Sequence, residues 1–326
     1  MEFDSVIGHK KTIDQLKKTL KADKLPPAFL FHGPKGVGKM MAARIMAKAA
    51  NCLDGQAREK GDACGHCRMC QAIERNIHPD IIIADFDFQA ALVDKPADKQ
   101  KHILIETIRA VIEKSQQKAV DARKKVFIID SAETMLAQAA NSLLKLLEEP
   151  PPNTFLVLVS ANRAAMLGTI LSRSQETAFA PLSTESTEEV LIQQGISADE
   201  AARLAPLAQG SVHRALKIRQ LEENLSDLDK LDPMYPFHVS AHLPAGLDDA
   251  RKDAALIIEL LIADAHRKMI SADNAAKQDL YKDSLDNLFK RREYINRNVS
   301  PHRVLEAAIM ECEKLNINFS LTTQEN

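Results

Sequence analysis

Gly33-Pro34-Lys35-Gly36-Val37-Gly38-Lys39-Met40 is the stretch that decides the fold. Its spacing is that of a phosphate-binding loop: Gly, four residues, Gly, Lys, then Ser or Thr. Every position fits except the last, where Met40 replaces the hydroxyl. That hydroxyl coordinates Mg²⁺, a hard cation that takes oxygen ligands, and a thioether is a soft, poor substitute. Upstream, Ala28-Phe29-Leu30-Phe31-His32 is a short apolar run that reads as a buried strand. Downstream, Met40 to Ala50 consists almost wholly of helix formers. Strand, glycine turn and helix are the order that brings backbone N–H groups and a helix N-terminus onto a phosphate. The plainer alternative, a glycine turn with Lys39 merely solvated, leaves the agreement of motif and context unexplained. Gly33, Gly36, Gly38 and Lys39 are therefore the expected phosphate cradle, lacking one metal ligand.

Three further apolar runs read as strands of a parallel sheet: Ile81 to Ala84, Val126 to Ile129 and Phe155 to Val159. Helical stretches alternate with them, which predicts a doubly wound α/β sheet. The second run ends in Asp130, the Walker B form, whose Asp sits near Mg²⁺ in working sites. Hydrolysing relatives of that form carry a Glu next. Ser131 follows here, and a neutral hydroxyl is a poor proton acceptor. Glu133, two residues on, reads most simply as surface charge near a helix start. Ala137 to Glu149 then shows Ala140, Leu143, Leu144 and Leu147 at helical spacing, with Lys145, Glu148 and Glu149 outward. Pro150, Pro151 and Pro152 end that helix.

Four of the five cysteines crowd into one segment, Cys52, Cys64, Cys67 and Cys70. Paired thiols two residues apart can converge on one tetrahedral zinc, and four of them close its coordination sphere. Such a zinc is structural, and it would secure the polar segment Asp54 to Asp62 against the end of the P-loop helix. Disulfides do not suit a reducing compartment. The ferredoxin pattern continues with a fourth Cys after three residues and then Pro, whereas Gln71-Ala72-Ile73 follows Cys70. Ligation through His66 or His78 is open but not needed. Cys312 reads as a small buried apolar residue.

The chain has 326 residues, 45% hydrophobic, 4% aromatic and without Trp, which fits two or three helix-rich domains. A net charge of −2 gives no general attraction to nucleic acid, so DNA contact would need a local patch. No apolar run approaches a membrane span. The first residues, with Glu2 and Asp4, lack the basic-then-apolar pattern of a signal peptide. A soluble cytoplasmic protein with no membrane partner is the expectation.

Asn141-Ser142-Leu143-Leu144-Lys145-Leu146-Leu147-Glu148-Glu149-Pro150-Pro151 resembles the signature of clamp-loader AAA+ subunits. It follows a Walker B segment and precedes Thr169-Ile170-Leu171-Ser172-Arg173-Ser174, similar to the Ser-Arg-Cys element of that family. Val6-Ile7-Gly8-His9 matches its opening motif, and a four-cysteine insertion after the P-loop helix is typical of its bacterial branch. Two kinds of bacterial subunit carry such modules. The gamma/tau kind is the working ATPase, with an intact Ser/Thr and Asp-Glu. The delta prime kind of DNA polymerase III has a degraded site yet presents its arginine. Met40 and Ser131 align this chain with the latter, with Ser174 departing from the usual Cys.

The resemblance implies an AAA+ domain over 1–180 containing the zinc module 52–70, a helical lid over 181–235, and a helical collar over 236–326. It implies that Arg173 acts in trans as an arginine finger on ATP held by a neighbouring gamma/tau subunit. The implied partners are gamma/tau and delta subunits, primer-template DNA within the complex and, indirectly, the sliding clamp. ATP binding by the chain itself is doubtful on this reading. The rival is an active gamma/tau-like ATPase using Lys39 and Asp130 despite Met40 and Ser131. A P-loop kinase is argued against by the helix after Walker B and the hinge at Pro181 to Thr187.

Within the lid, helical segments are expected over Glu188–Gln194 and Ala198–Ala208, and another from Gly210. In active relatives this last helix start carries a sensor arginine. His213 takes that place here, with Arg214 one step off, about 100° around the helix. Pro233, Pro236 and Pro244 mark a break before helical stretches at Ala254–Ile262, Leu280–Arg297 and Val304–Leu315. Lys290, Arg291 and Arg292 read as a solvated face, and Asn318 to Asn326 as a frayed tail.

Overall fold

A computed structural model describes residues 2–295, 297 and 299–318. It divides into two compact units, one formed by Met1–Ala201 with Ala208–Arg214, the other by Ala202–Leu207 with Ala215–Asn326.

The first unit is built on five parallel strands: β1 (Ala28–His32), β2 (Ile81–Ala84), β3 (Lys125–Ile129), β4 (Thr154–Ser160) and β5 (Gln175–Ala178). Their order across the sheet is β2-β3-β4-β1-β5. β1 to β4 are the apolar runs legible in the sequence. β5 is not, because Gln-Glu-Thr-Ala lies at the edge beside β1 and buries only Thr177. Central strands of a covered parallel sheet need apolar residues on both faces, whereas an edge strand does not.

The helices of this unit are α1 (Lys10–Lys21), α2 (Lys39–Asn51), α3 (Gly55–Glu59), α4 (Arg68–Glu74), α5 (Phe86–Val93), α6 (Ile105–Gln116), α7 (Ala137–Glu148), α8 (Gly168–Leu171) and α9 (Thr184–Gln193). Alternation along the strands divides the core. Ala28, Leu30, Phe127, Ile129, Leu156 and Leu158 pack with Ile108 and Val111 of α6 and with Leu143, Leu146 and Leu147 of α7. Phe29, Phe31 and Phe155 alternate with these residues along β1 and β4 and meet edge to face, Phe29 lying 6.1 and 6.3 Å from the other two. α2 packs on β1, β3 and β4. Helices thus cover the sheet in the doubly wound manner. In α7 the buried stripe is Ala139, Ala140, Leu143, Leu146 and Leu147, with Leu144 only half-buried. The polar segment after Cys52 is helical at α3, where Asp54 accepts a hydrogen bond from the Ala57 amide at 3.1 Å. Ser183 caps α9, its hydroxyl accepting from the Ser186 amide at 3.1 Å.

α10 (Ala198–Leu207) and α11 (Val212–Leu225) follow, each shared between the two units. The second unit continues with α12 (Tyr235–Ala241), α13 (Leu247–Ile270), α14 (Ala275–Ile295) and α15 (Pro301–Glu313). Pro236 is accommodated in the first turn of α12, where its missing N–H costs nothing. α13, α14 and α15 pack against one another, and α12 against α15. Ile257, Ile258, Leu260 and Leu261 are buried, as the nearly all-round apolar pattern of α13 requires. Cys312 is fully buried in α15, and burial pushes its thiol up to about 12. Asn318 is held by its amide, which donates to Asp264 at 2.9 Å. The rest of the expected frayed tail, 319–326, lies outside the described residues. Among the described residues no helix is long and apolar enough to cross a membrane.

Candidate functional site

Between the end of β1 and the start of α2, Gly33, Gly36 and Gly38 adopt φ values of 145°, 71° and 100°. Side chains are excluded at two of them by contact as well as by backbone shape. A Cβ on Gly33 would lie 2.0 Å from the Phe179 carbonyl oxygen, and one on Gly36 would lie 2.3 Å from the His213 nitrogen. The residues before His213 fasten themselves to the loop. Ser211 Oγ donates to the Lys35 carbonyl at 2.6 Å, and the Val212 amide to the Gly36 carbonyl at 3.3 Å.

Lys39 is the first residue of α2 and is almost fully buried. Its Nζ donates to the Gly33 and Pro34 carbonyls at 2.6 and 2.5 Å. Burial lowers its pKa to about 8 against the pull of Glu133 and Asp130, and Lys35 pushes the same way as burial. Asp130 follows β3 and is shifted up by burial, with Glu133 and Asp85 adding to the shift while the Ser131 amide and Lys39 oppose it. Ser131 has a left-handed backbone, φ 51°, and leads into a single 3₁₀ turn, Ala132–Thr134. Glu133 is accordingly not the solvated surface charge that its position suggested. It is half-buried, its Oε2 is buried and accepts no hydrogen bond among the described residues, and its charge acts on both Lys39 and Asp130. A glycine loop, an ammonium and two carboxylates are thus grouped, with half-buried Met40 where a hydroxyl would meet a metal.

The four cysteines converge. Cys52 ends α2, Cys64 and Cys67 lie on the turn before α4, and Cys70 is in the first turn of α4. All four sulfurs lie within 4.8 Å of one another, with Cys64 and Cys70 at 4.0 Å. A tetrahedral zinc with Zn–S of about 2.3 Å sets sulfur–sulfur separations of about 3.8 Å, so the cluster is near the size such an ion needs. Backbone amides already point at the sulfurs: Cys64 N to Cys52 Sγ at 3.4 Å, Cys67 N to Cys64 Sγ at 3.3 Å, and Cys70 N to Cys67 Sγ at 3.5 Å. For Cys67, burial works against ionisation, but the amides of Cys70 and Leu53 and the neighbouring thiols outweigh it and bring the thiol to about 6. Burial raises the Cys52 and Cys70 thiols instead, so it is the convergence of four sulfurs that suits a metal ion. His66 stands outside the four, its ring nitrogen on the Cys64 carbonyl at 2.8 Å.

Arg173 lies two residues past α8, remote in sequence from the loop and the cysteines. Its Nε and Nη2 both reach Glu148 Oε1, at 2.7 and 2.6 Å, at the C-terminal end of α7. Nη1 donates to the Thr169 carbonyl at 3.1 Å and to Ser172 Oγ at 3.2 Å. The guanidinium is a partly exposed group beside two helix C-termini, where a cation is favoured. The hydroxyl of Ser174, next in the chain, is buried without a hydrogen-bond partner among the described residues.

A family model described as DNA polymerase III, delta subunit matches residues 8–183, more than half of the chain. The chain belongs to that family. It is 36% identical over 220 residues to the DNA polymerase III subunit delta′ of Bacillus subtilis strain 168, covering 68% of this chain and 62% of that one. It is 31% identical over 259 residues to the subunit tau/gamma of Haemophilus influenzae, covering 72% of this chain and 35% of that one. The matches therefore span under two thirds of the delta′ relative and about a third of the tau/gamma relative. In fold the chain resembles a DNA polymerase III gamma subunit-related protein of Thermotoga maritima. The TM-score is 0.54 at 18% identity, over 92% of this chain and 99% of that one. With the strand order above, this shows a doubly wound α/β P-loop fold followed by helices.

Two members of the candidate site carried no usable sequence signal. Glu133 is delivered by a left-handed Ser131 and a 3₁₀ turn, which no periodicity announces. Glu148 reads as one more outward charge on α7, and only the fold brings it to Arg173.

Proposed function

We propose that this chain is the delta prime subunit of the DNA polymerase III clamp loader, a mostly structural AAA+ subunit lending an arginine to its neighbour. The observation that carries the reading is the contrast between two places in one domain. At its own P-loop, Met40 and Ser131 stand where metal and water ligands are needed, and Lys39 is occupied with loop carbonyls. At the end of α8, Arg173 sits at the surface. Arginine supplied in trans stabilises charge on the equatorial oxygens of a transferred phosphoryl group, worth on the order of 10³–10⁵ in rate in GTPases. Arg173 would act in this way on ATP bound by a gamma/tau subunit. Delta, primer-template DNA and, indirectly, the sliding clamp complete the set of partners, in the cytoplasm.

Three parts serve this role: residues 1–180, a lid over 181–235 and a collar over 236–326 that joins the ring. Cys52, Cys64, Cys67 and Cys70 would hold a structural zinc, which supplies folding free energy and no open coordination position. These side chains would tie the end of α2 to α4, a link also made by the ion pair of buried Lys48 with partly exposed Glu74.

A second reading, an active gamma/tau-like ATPase, is favoured by one observation: Glu133 lies near Lys39 and Asp130 with an unpaired carboxylate oxygen. Phosphate release separates the two. The isolated chain should show no turnover with Mg-ATP, and R173A should impair DNA-stimulated turnover of the loader assembled with gamma/tau and delta. Turnover by the isolated chain that is lost in K39A, with R173A silent in the assembly, would establish the second reading instead.

A further inference from the structure

We propose that Glu148 is a positioning residue for Arg173, fixing the plane of the guanidinium so that its tip faces outward; this rests on the trans reading above. The two residues are 25 positions apart, and the ion pair joins the end of α7 to the end of α8. The pairing is side-on: Nε and Nη2 share Oε1, at 2.7 and 2.6 Å. Nη1 is turned to the Thr169 carbonyl and Ser172 Oγ. Two of the five N–H groups of the arginine, Nε–H and one on Nη2, thus face the carboxylate, while Thr169 O and Ser172 Oγ, themselves 3.1 Å apart, sit together beside Nη1. The second N–H of Nη2 lies at the tip edge, away from the carboxylate.

An exposed arginine otherwise samples many rotamers, and a group that stabilises a transition state works best when it is oriented beforehand. Glu148 supplies that orientation without reaching the reacting atoms. It is well placed to do so because it closes the side edge rather than the tip, leaving phosphoryl oxygens access to the tip. The contact is partly solvated, the two side chains being 36% and 49% exposed, so its effect is modest.

The test uses the full chain assembled with gamma/tau and delta, with ATP varied and phosphate release measured in the presence of primed DNA and clamp. E148Q keeps the shape and removes the charge. It should lower kcat about 2- to 5-fold with KM for ATP unchanged. R173A should lower kcat further, and E148Q/R173A should be no worse than R173A alone. E149Q, the same charge change one residue along, should match the wild type. A wild-type or raised kcat in E148Q beside an impaired R173A overturns the proposal and leaves the trans reading standing. Additive losses in the double variant overturn it too, since Glu148 then acts elsewhere. An R173A loader with wild-type turnover overturns the trans reading and the proposal with it.

Discussion

Lys39 offers a test of the buried P-loop that needs neither nucleotide nor partner. Its ammonium is almost completely enclosed, and burial is the largest influence on it, bringing its pKa from 10.5 to about 8. The folded protein therefore loses this proton before the unfolded chain does. Between those two values the unfolded state binds more protons, so stability should rise with pH in that window. The penalty of burying the charge is fully present below about pH 8 and is relieved as pH climbs toward 10.5. For the full shift, the gain from pH 7 to pH 10 is about 2.5 kcal/mol. Other groups titrate over the same range, so the measurement is a difference. Wild type and K39M are unfolded in urea at pH 7 and pH 10, followed by far-ultraviolet circular dichroism. K39M should be favoured over wild type by about 2.5 kcal/mol more at pH 7 than at pH 10. The neutral amine keeps its bonds to the Gly33 and Pro34 carbonyls at high pH, which K39M cannot make. An equal difference at both pH values would show that the ammonium is adequately compensated in the fold, and the reasoning would fail.

The cysteine cluster and the loop glycines give two further expectations. Purified protein should contain one equivalent of zinc by elemental analysis, and C70S or prolonged chelation should remove it and lower the melting temperature of the first unit. Metal content unchanged in C70S would refute four-thiolate ligation. Gly33→Ala should cost at least about 2 kcal/mol through backbone strain and displacement of Phe179. Gly55→Ala, where a Cβ meets nothing within 4 Å, should be neutral or slightly stabilising. Similar melting curves for the two variants would contradict the close approach at Gly33.

How far the sequence announced this structure depends on whether a feature is local. β1, β3 and β4 are dense apolar runs because both faces of a central parallel strand are buried, and α7 shows its stripe because it packs on one side. The cysteines were legible because metal-ligand spacing is local chemistry. β5 escaped because an edge strand beside β1 can be polar, and its place is set by register with Phe29 to His32. The pairing of Glu148 with Arg173 escaped because nothing in either segment encodes the turn that brings α8 back to α7. Glu133 escaped for a related reason: its placement depends on one left-handed residue, Ser131.

A phosphate-binding pattern that lacks its metal ligand invites the question of what else holds the pattern in place. Here the loop has internal partners for the residues that a nucleotide would otherwise use. Gly33 admits the Phe179 carbonyl, Gly36 admits the backbone of His213, and Ser211 and Val212 bond to the Lys35 and Gly36 carbonyls. Lys39 meets the Gly33 and Pro34 carbonyls rather than standing in solvent. The two close approaches exclude side chains at Gly33 and Gly36, positions of the phosphate-binding pattern. Glycine at 33 and 36 is therefore required by packing and backbone shape alone. The glycines are thus kept by the chain's own contacts whether or not a phosphate is bound.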